Sequence, residues 1–501
     1  MKQKPAVISR TGKLICLLMA LALTFAMSSC AEPARTSSQT TAAESGEAES
    51  VADTKDDTDA STGNGSEAPD VSTAASQNAS SGTNTESKFM DLKGRTVKLF
   101  MWGYSKEWSN SVESGRLMEA RYKDIGTKFN CVFKVVAGPS ETDFAPINQS
   151  ILAGVPSVDI IETAGPHTLA EPIKGGLYQD LNQFGVFNWK MSKWNKQVND
   201  IGNFGGKQYI ASANLEGSDK QLTNQVMFFN KRLVQSAGYN PDDLYKWQKE
   251  GTWNWTKYEE IATKISKLDP GKVWGTVGND KLLYEMLTIT NGCDYIKKDG
   301  KSISFNAGDS RALAALELYK RLYTNKVMPE DDSFSNAQMF LEGKVGLMPE
   351  ILERLRYTNT YGKMKDDYGV IMLPKGPSAS DYVSPLAWYS GYAIPKGAKD
   401  SKGLALIIDY MTESLYTNKA AENKAVTLAR ESYVRDAKSM EIFDMVASRT
   451  VITPQWLAEP VRGTWLALLT PIKKGETTAA DAISKNSGEF STVLKTVWDI
   501  K

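Results

Sequence analysis

The chain has 501 residues, with 59 Lys and Arg balanced by 59 Asp and Glu, one His and four Cys. That length exceeds what one hydrophobic core organises, so two domains are expected. The balanced charge, without a long basic run, argues against a nucleic-acid partner. A single His with no CxxC or HExxH spacing leaves no recognisable metal site, and no cofactor is expected.

Lys2, Lys4, Arg10 and Lys13 precede an apolar run from Leu14 to Met27. The run is shorter than the about 20 residues that cross a bilayer, and it fits the apolar part of a signal peptide. Met27-Ser28-Ser29-Cys30-Ala31 follows and resembles a bacterial lipobox. The resemblance implies that residues 1–29 are removed and that Cys30 carries diacylglyceride, holding the protein on the extracellular face of the cell membrane. Ordinary cleavage beside an incidental Cys is the alternative. Residues 30–89 form the next segment, in which Ser, Thr, Ala, Gly, Asp and Glu dominate and Val51 and Val71 are the only large aliphatic residues before Phe89. So little apolar surface cannot offset a backbone ordering cost of about 1–2 kcal/mol per residue, and an acidic flexible linker is expected.

Strands and helices then alternate. Strands are predicted at Thr96–Trp102, Cys131–Val136 and Val158–Ile161, with helices at Leu117–Phe129, Asp143–Ala153 and Thr168–Lys174 between and after them. This order predicts an α/β fold with a mainly parallel, doubly wound sheet, whose ligands bind beyond the carboxyl ends of the strands. Further strands are predicted at Gln208–Ala211, Gln225–Phe229, Val345–Met348, Val370–Leu373 and Tyr392–Ile394. Further helices are predicted from Asn230, over Tyr258–Leu268, and at Asp309–Tyr323, Gly403–Met411 and Thr464–Leu469. Thr256 with Glu259 has the spacing of a capping box.

Several motifs resemble family 1 extracellular solute-binding proteins, the maltose-binding-protein-like components of ABC importers. They are Gly154-Val155-Pro156-Ser157-Val158-Asp159-Ile160-Ile161, Gly176-Leu177-Tyr178-Gln179-Asp180-Leu181, Gly206-Lys207-Gln208-Tyr209, Phe228-Phe229-Asn230-Lys231-Arg232-Leu233, Gly251-Thr252-Trp253-Asn254-Trp255, the run from Met339 to Met348, and Leu373-Pro374-Lys375-Gly376-Pro377. Each is weak alone; their shared order across residues 95–501 is specific. The resemblance implies a two-lobed periplasmic-binding-protein-like fold with a hinge of two or three crossings. One lobe is expected at roughly 90–212 plus 374–425 and the other at 213–373 plus 426–501. It also implies a monomer that captures a small solute and delivers it to ABC permease subunits. Cys131 and Cys293 then fall in different lobes and are expected as free thiols.

A sugar offers hydroxyls at its edge and apolar faces, so its site needs aromatic platforms and planar polar groups. The candidates are Trp102, Tyr104 and Trp108 after the first strand, and Glu162 and Thr163 at the end of the third. Asn214 stands at a crossing, and Glu350 and Arg354 follow the Val345–Met348 strand. Trp388 and Tyr389 lie in the Pro385–Gly391 loop, and Trp465 and Tyr284 hold positions that resemble contact positions of the maltose-binding-protein-like family. Core packing, a capping acid or a surface ion pair is the bland alternative for each, and His167 is read as a loop residue. A carbohydrate, in particular an oligosaccharide, is the expected solute. The alternatives are a peptide, polyamine or iron-carrier binder, or a glycosidase with Glu162 and Glu350 as paired carboxylates. No nucleophile elbow, P-loop or dinucleotide fingerprint is present, so no enzyme is expected.

Overall fold

Thr96–Trp102 alternates around Val97, Leu99 and Phe100, which are buried, and forms strand β1 at the centre of a sheet. In the computed structural model it pairs in parallel with β2 (Val132–Gly138), from Thr96 opposite Val132 to Trp102 opposite Gly138, and with β3 (Ile160–Ala164), Leu99 opposite Ile160. The structure describes residues 88–498 except 103, 107–108, 110–112, 139–143, 165–167, 215–222, 278–279, 300–301, 331–335, 357–360 and 388. The signal and lipobox, almost all of the linker, Trp108, His167 and Trp388 therefore lie outside the described residues.

Later strands are β4 (Asn203–Phe204), β5 (Lys207–Gln208), β6 (Gln225–Asn230), β7 (Trp274–Thr276), β8 (Ile296–Asp299), β9 (Ser302–Phe305) and β10 (Val345–Ile351). They are followed by β11 (Tyr368–Ile371), β12 (Ser384–Pro385), β13 (Ser390–Ala393) and β14 (Thr450–Val451). Two four-stranded sheets result, ordered β13-β3-β1-β2 and β11-β6-β10-β7. Helices Glu113–Lys128 and Phe144–Leu152 make the crossovers of the first sheet, and Phe144 meets Phe100 edge-on at 4.7 Å. Phe89 sits edge-on to both Phe129 and Tyr410 at 5.4 Å, which fastens the start of the described chain to this lobe.

The second sheet is mixed, not parallel as the strand–helix alternation suggested. β6 runs antiparallel to both β10 and β11, while β10 is parallel to β7. All six residues of β6 are buried, as a central strand covered on both faces requires. Helix Trp255–Ser266 lies so close to β7 that a Cβ on Gly275 would stand 1.8 Å from the Ala262 carbonyl oxygen. The predicted capping box is displaced. Asn254 is the cap, its side chain accepting from the Lys257 amide at 3.1 Å, and Glu259 instead pairs with Arg321. Asn caps as well as Ser or Thr, and starting the helix two residues earlier buries Trp255. The predicted Gln208–Ala211 strand reduces to β5 and an isolated bridge from Ala211 to Tyr392. The predicted Thr464–Leu469 helix begins earlier, at Glu459. Cys131 and Cys293 are both free thiols.

Extended segments pair with one another at the junction of the two halves. Ser384–Pro385 pairs in parallel with Thr450–Val451, and Asn224 bridges to Leu386. Residues 375–382 bond to the second half: Gly376 to the Thr290 carbonyl at 2.9 Å, Ser378 to Asn291 at 2.9 Å, and Tyr382 to the Trp253 amide at 3.0 Å.

Replacing Asn254 by Ala should lower stability by about 1 kcal/mol, the usual worth of an N-cap, while Thr256→Ala stays near wild type. Denaturant melts of the two variants check this; the reverse ranking would restore Thr256 as the cap.

Candidate functional site

The carboxyl edge of the first sheet builds one wall. β1 ends on Trp102, whose side is 39% exposed, the most open Trp among the described exposed apolar residues. Beside it β3 presents Glu162 and Thr163, both buried. β13 pairs antiparallel to β3, with Tyr392 opposite Glu162 and Ser390 opposite Ala164, so the chain returns at the same edge. The Ser390 hydroxyl donates to Glu162 Oε1 at 3.4 Å. Thr163 Oγ1 donates to the Gly391 carbonyl at 2.9 Å and accepts from the Gly391 amide at 3.2 Å, so this hydroxyl is committed to the strand pairing. Tyr104, half-buried, donates to Glu119, and burial with this carboxylate pushes its phenol well above the usual range. Asn214 is exposed and tied back by its amide group to the Trp194 carbonyl at 3.2 Å.

The second lobe contributes the end of β10. Glu350 accepts from the Ile351 amide at 2.8 Å and faces Arg354 Nε at 3.5 Å. Burial raises the Glu350 carboxyl, and Arg354 opposes that shift. Tyr389 is buried with its hydroxyl toward the Thr453 carbonyl at 3.4 Å. Tyr284 and Trp465 are fully buried and edge-on to one another at 6.3 Å, with Phe305 on the other side of Trp465 at 5.3 Å. In this conformation they are core rings with no face open to a solute.

A charged cluster that the sequence reading missed lies beneath this wall. Arg462 grips Glu285 with two bonds, Nε to Oε1 at 2.8 Å and a second nitrogen to Oε2 at 3.1 Å, and Tyr295 donates to the same carboxylate. The pair joins helix Asp280–Thr290 to helix Glu459–Ala467. Asp294 is adjacent; burial, reinforced by the Glu285 charge, pushes its carboxyl up to about 7. Glu285 and Arg462 are 177 residues apart in the chain, and no local spacing signals the pair. Among the described residues no group of three or more His, Cys, Asp or Glu is placed to hold a metal ion, and no helix is long and apolar enough to cross a membrane.

Two sheets joined by extended crossings, with aromatic and carboxylate side chains at the strand ends of one of them, define a solute-binding architecture. The chain belongs to the bacterial extracellular solute-binding protein family, which matches residues 123–414. The family is a binding component of ABC transport and not an enzyme. The chain is 24% identical over 351 residues to the diacetylchitobiose binding protein DasA of Streptomyces coelicolor, covering 67% of this chain and 77% of that one. Its fold matches the GacH receptor of Streptomyces glaucescens, solved unliganded and with acarbose, with a TM-score of 0.57 at 17% identity over 80% of this chain and 99% of that one. It also matches the sugar-binding protein MalE of Xanthomonas citri, with a TM-score of 0.58 at 14% identity over 81% and 100% of the two chains.

Asp294 carries a pH signature. Its carboxyl rises from 3.8 to about 7, so between those values the folded protein holds a proton that the unfolded chain has released. Stability should fall as pH rises across that window and level off above it. Asp294→Asn, which retains the acceptor for the Ile296 amide, should melt higher than wild type at pH 7–8, with the gain vanishing toward about pH 4. Thermal melts across this range test it; a pH-independent difference would contradict it.

Proposed function

We propose that this protein is a lipid-anchored receptor that captures an oligosaccharide between its lobes and presents it to an ABC permease. The observation that carries the sugar reading is Trp102, an indole left open at the carboxyl edge of the first sheet. An open ring face suits the apolar C–H face of a pyranose, while the register that pairs Leu99 with Ile160 and Phe100 with Ile161 turns Glu162 to the opposite face of the sheet. The relatives support the same chemistry, since one is named for diacetylchitobiose and another was solved with acarbose. Trp388, Tyr104, Glu350 and Arg354 are the further contacts we assign to the cleft, with Tyr389 and Asn214 at its hinge side. Thr163, Tyr284 and Trp465 act behind the wall. The chain passes between the lobes near residues 214–224, near 384–389, and between Ser414, which Arg121 of the first lobe holds, and Arg435, which bonds to second-lobe carbonyls, so that residues 374–383 go with the second lobe. Closure on the solute is a population shift, driven by tighter binding to the closed form.

A thermal-shift screen against chitooligosaccharides, maltooligosaccharides and arabinooligosaccharides tests the reading. A solute at 100 times its dissociation constant should add about 2.7 kcal/mol of stability. With the best sugar in hand, Trp102→Ala should lose most of the affinity and little of the melting temperature. Trp465→Ala should instead cost about 3–5 kcal/mol of stability, as for a fully buried Trp. Normal sugar binding by Trp102→Ala would remove this ring from the site.

The anchor is proposed from the Ser28-Ser29-Cys30 run and the acidic segment behind it. Cys30→Ala should release the protein from the membrane fraction while leaving the melting temperature unchanged. Unchanged membrane attachment of that variant counts against lipidation.

A further inference from the structure

Four of the eight large apolar residues that are exposed among the described residues stand at one end of the first lobe: Met90, Val132, Leu152 and Val155. The register of the first sheet puts them there. Val132 opens β2 opposite Thr96, the first residue of β1, and residues 152–157 lead into β3 at the same edge. Met90 lies against Gly403, just past the loop that leaves β13. This is the amino edge of the sheet, and Trp102 ends β1 about 20 Å away at the other edge. The turn after helix Phe144–Leu152 holds two of these side chains out. Gly154 has a φ of +77°, its amide donates to the Ile151 carbonyl at 2.9 Å, and the Val155 amide reaches back to the Ser150 carbonyl at 3.0 Å. In such a Schellman ending the residue after the glycine ordinarily packs on an apolar residue one turn back. Here that residue is Ser150, whose hydroxyl is engaged with the Ile147 carbonyl and the Ser157 amide. Val155 is left 75% exposed and Leu152 72% exposed.

Charge around this turn is one-sided. Lys98 Nζ donates to the Ser157 carbonyl at 3.3 Å, and Gly397, beside Lys396 and Lys399, approaches Gly154 and Pro156. The Lys396 amide donates to the Leu177 carbonyl at 2.7 Å, which brings in Lys174 from the end of its own helix. All four lysines are exposed, and among the described residues none of them meets a carboxylate. The acids nearby are taken up elsewhere. Arg95 holds Asp159 at 3.0 Å and Asp400 at 3.3 Å, and Asp91 accepts from the Lys93 amide and from Asn130. The segment that carries Cys30 joins the lobe at this same end, where Phe89 packs on Phe129 and Lys88 pairs with Glu413. A rigidly held aliphatic pair ringed by open ammonium groups fits a bilayer surface with acidic headgroups. A soluble polyanion would use the lysines and leave Leu152 and Val155 wet.

We infer that the amino edge of the first lobe rests on an anionic lipid bilayer, with Leu152 and Val155 entering the acyl boundary and the lysines lying among headgroup phosphates. Two aliphatic side chains bury less than one myristoyl chain, whose own binding is marginal and reversible. The edge therefore orients a protein that is already tethered and does not hold a free one, so Cys30→Ala still leaves the membrane on washing. Tethering keeps the local lipid concentration high enough for the weak contact to form. With this edge on the bilayer, Trp102 at the far end of β1 faces away from it. The inference rests on the membrane anchor for its setting, and its test does not use the anchor.

The experiment uses the full chain with Cys30→Ala, so that no lipid is attached, and vesicles at about millimolar lipid. Co-flotation is measured on vesicles of equal phosphatidylglycerol and phosphatidylcholine, and on phosphatidylcholine alone. The protein should float with the first and not the second, and added salt should weaken the binding. Adding Leu152→Asp and Val155→Asp should lower binding about tenfold or more, while Leu268→Asp with Leu428→Asp, at exposed positions elsewhere, leaves it unchanged. Lys396→Gln with Lys399→Gln should lower it about fivefold per lysine, the scale of one charge near an anionic surface. Melting temperatures should stay at the parent value, since all six side chains are exposed. No flotation with phosphatidylglycerol, or equal loss in the two aspartate pairs, overturns the inference. Loss in the lysine pair with none at Leu152 and Val155 marks a polyanion site instead, and overturns it too. Membrane retention of Cys30→Ala that survives the Leu152 and Val155 changes counts against the anchor alone.

Discussion

The structure depends on how the extended segments at the junction of the two sheets keep their hydrogen bonds. Extended chain has no internal partners, so buried crossings must satisfy one another. The Asn224 side chain does much of this. Its amide nitrogen donates to Thr450 Oγ1 at 2.9 Å and to Ser384 Oγ at 3.2 Å, which ties the first crossing to the second and to the Thr450–Val451 strand beside them. The Ser384 hydroxyl passes its own proton to the Gln225 carbonyl at 2.8 Å, and Thr450 passes its proton to the Val446 carbonyl at 2.7 Å. The backbone continues the pattern: Leu386 donates to the Val451 carbonyl at 3.0 Å and Ala387 to the Thr223 carbonyl at 2.9 Å. These bonds hold the junction segments to one another. Small dihedral changes on either side can therefore rotate the lobes while the bundle of crossings stays intact, as a hinge requires.

A hinge is useful only if what it moves is rigid. On the first lobe, rigidity comes from strand pairing. The double bond between Thr163 and Gly391 fixes β13 against β3, which sets the height at which Tyr389 and Ser390 emerge and holds Glu162 against Ser390. On the second lobe it comes from packing of helices against β7 and β10, where the missing side chain of Gly275 lets helix Trp255–Ser266 close in. Trp102 is open at a strand end and Trp465 is fully buried, although both were candidates for the site.

The contrast shows what the sequence carried. Gln225–Asn230 reads as a buried strand because its apolar run is short, continuous and followed by Asn230, which caps the next helix through the Leu233 amide at 3.1 Å. That Trp102 stands at an open strand end was legible from the first strand's alternation. The burial of Trp465 was not, because an aromatic at helical spacing looks alike whether its face turns outward or to Phe305. The β8 strand has Lys297, Lys298 and Asp299 in four residues and carries no apolar alternation; only its pairing with Ser302–Phe305 makes it a strand. Asn254 and Thr256 offered two caps within one turn, and the choice between them rested on where Trp255 packs, which is a tertiary fact. Long-range charge pairing left no local trace at all.

That pairing bears on how the second wall keeps its shape. Arg462 and Glu285 are nearly withdrawn from water, with side-chain exposures of 10% and 2%. A buried pair adds little net stability, because desolvation of both charges offsets most of their attraction. Removing one partner is different, since it strands the other charge and costs about 3–5 kcal/mol. The pair therefore penalises any sliding of helix Glu459–Ala467 along helix Asp280–Thr290 more than it rewards their contact. Two parallel bonds from a planar guanidinium to a planar carboxylate accept only one register. Tyr295 adds a third bond to the same carboxylate and brings the start of the β8–β9 hairpin into that register. The hairpin and the two helices are thus held in one register, so this part of the second lobe can turn as one body.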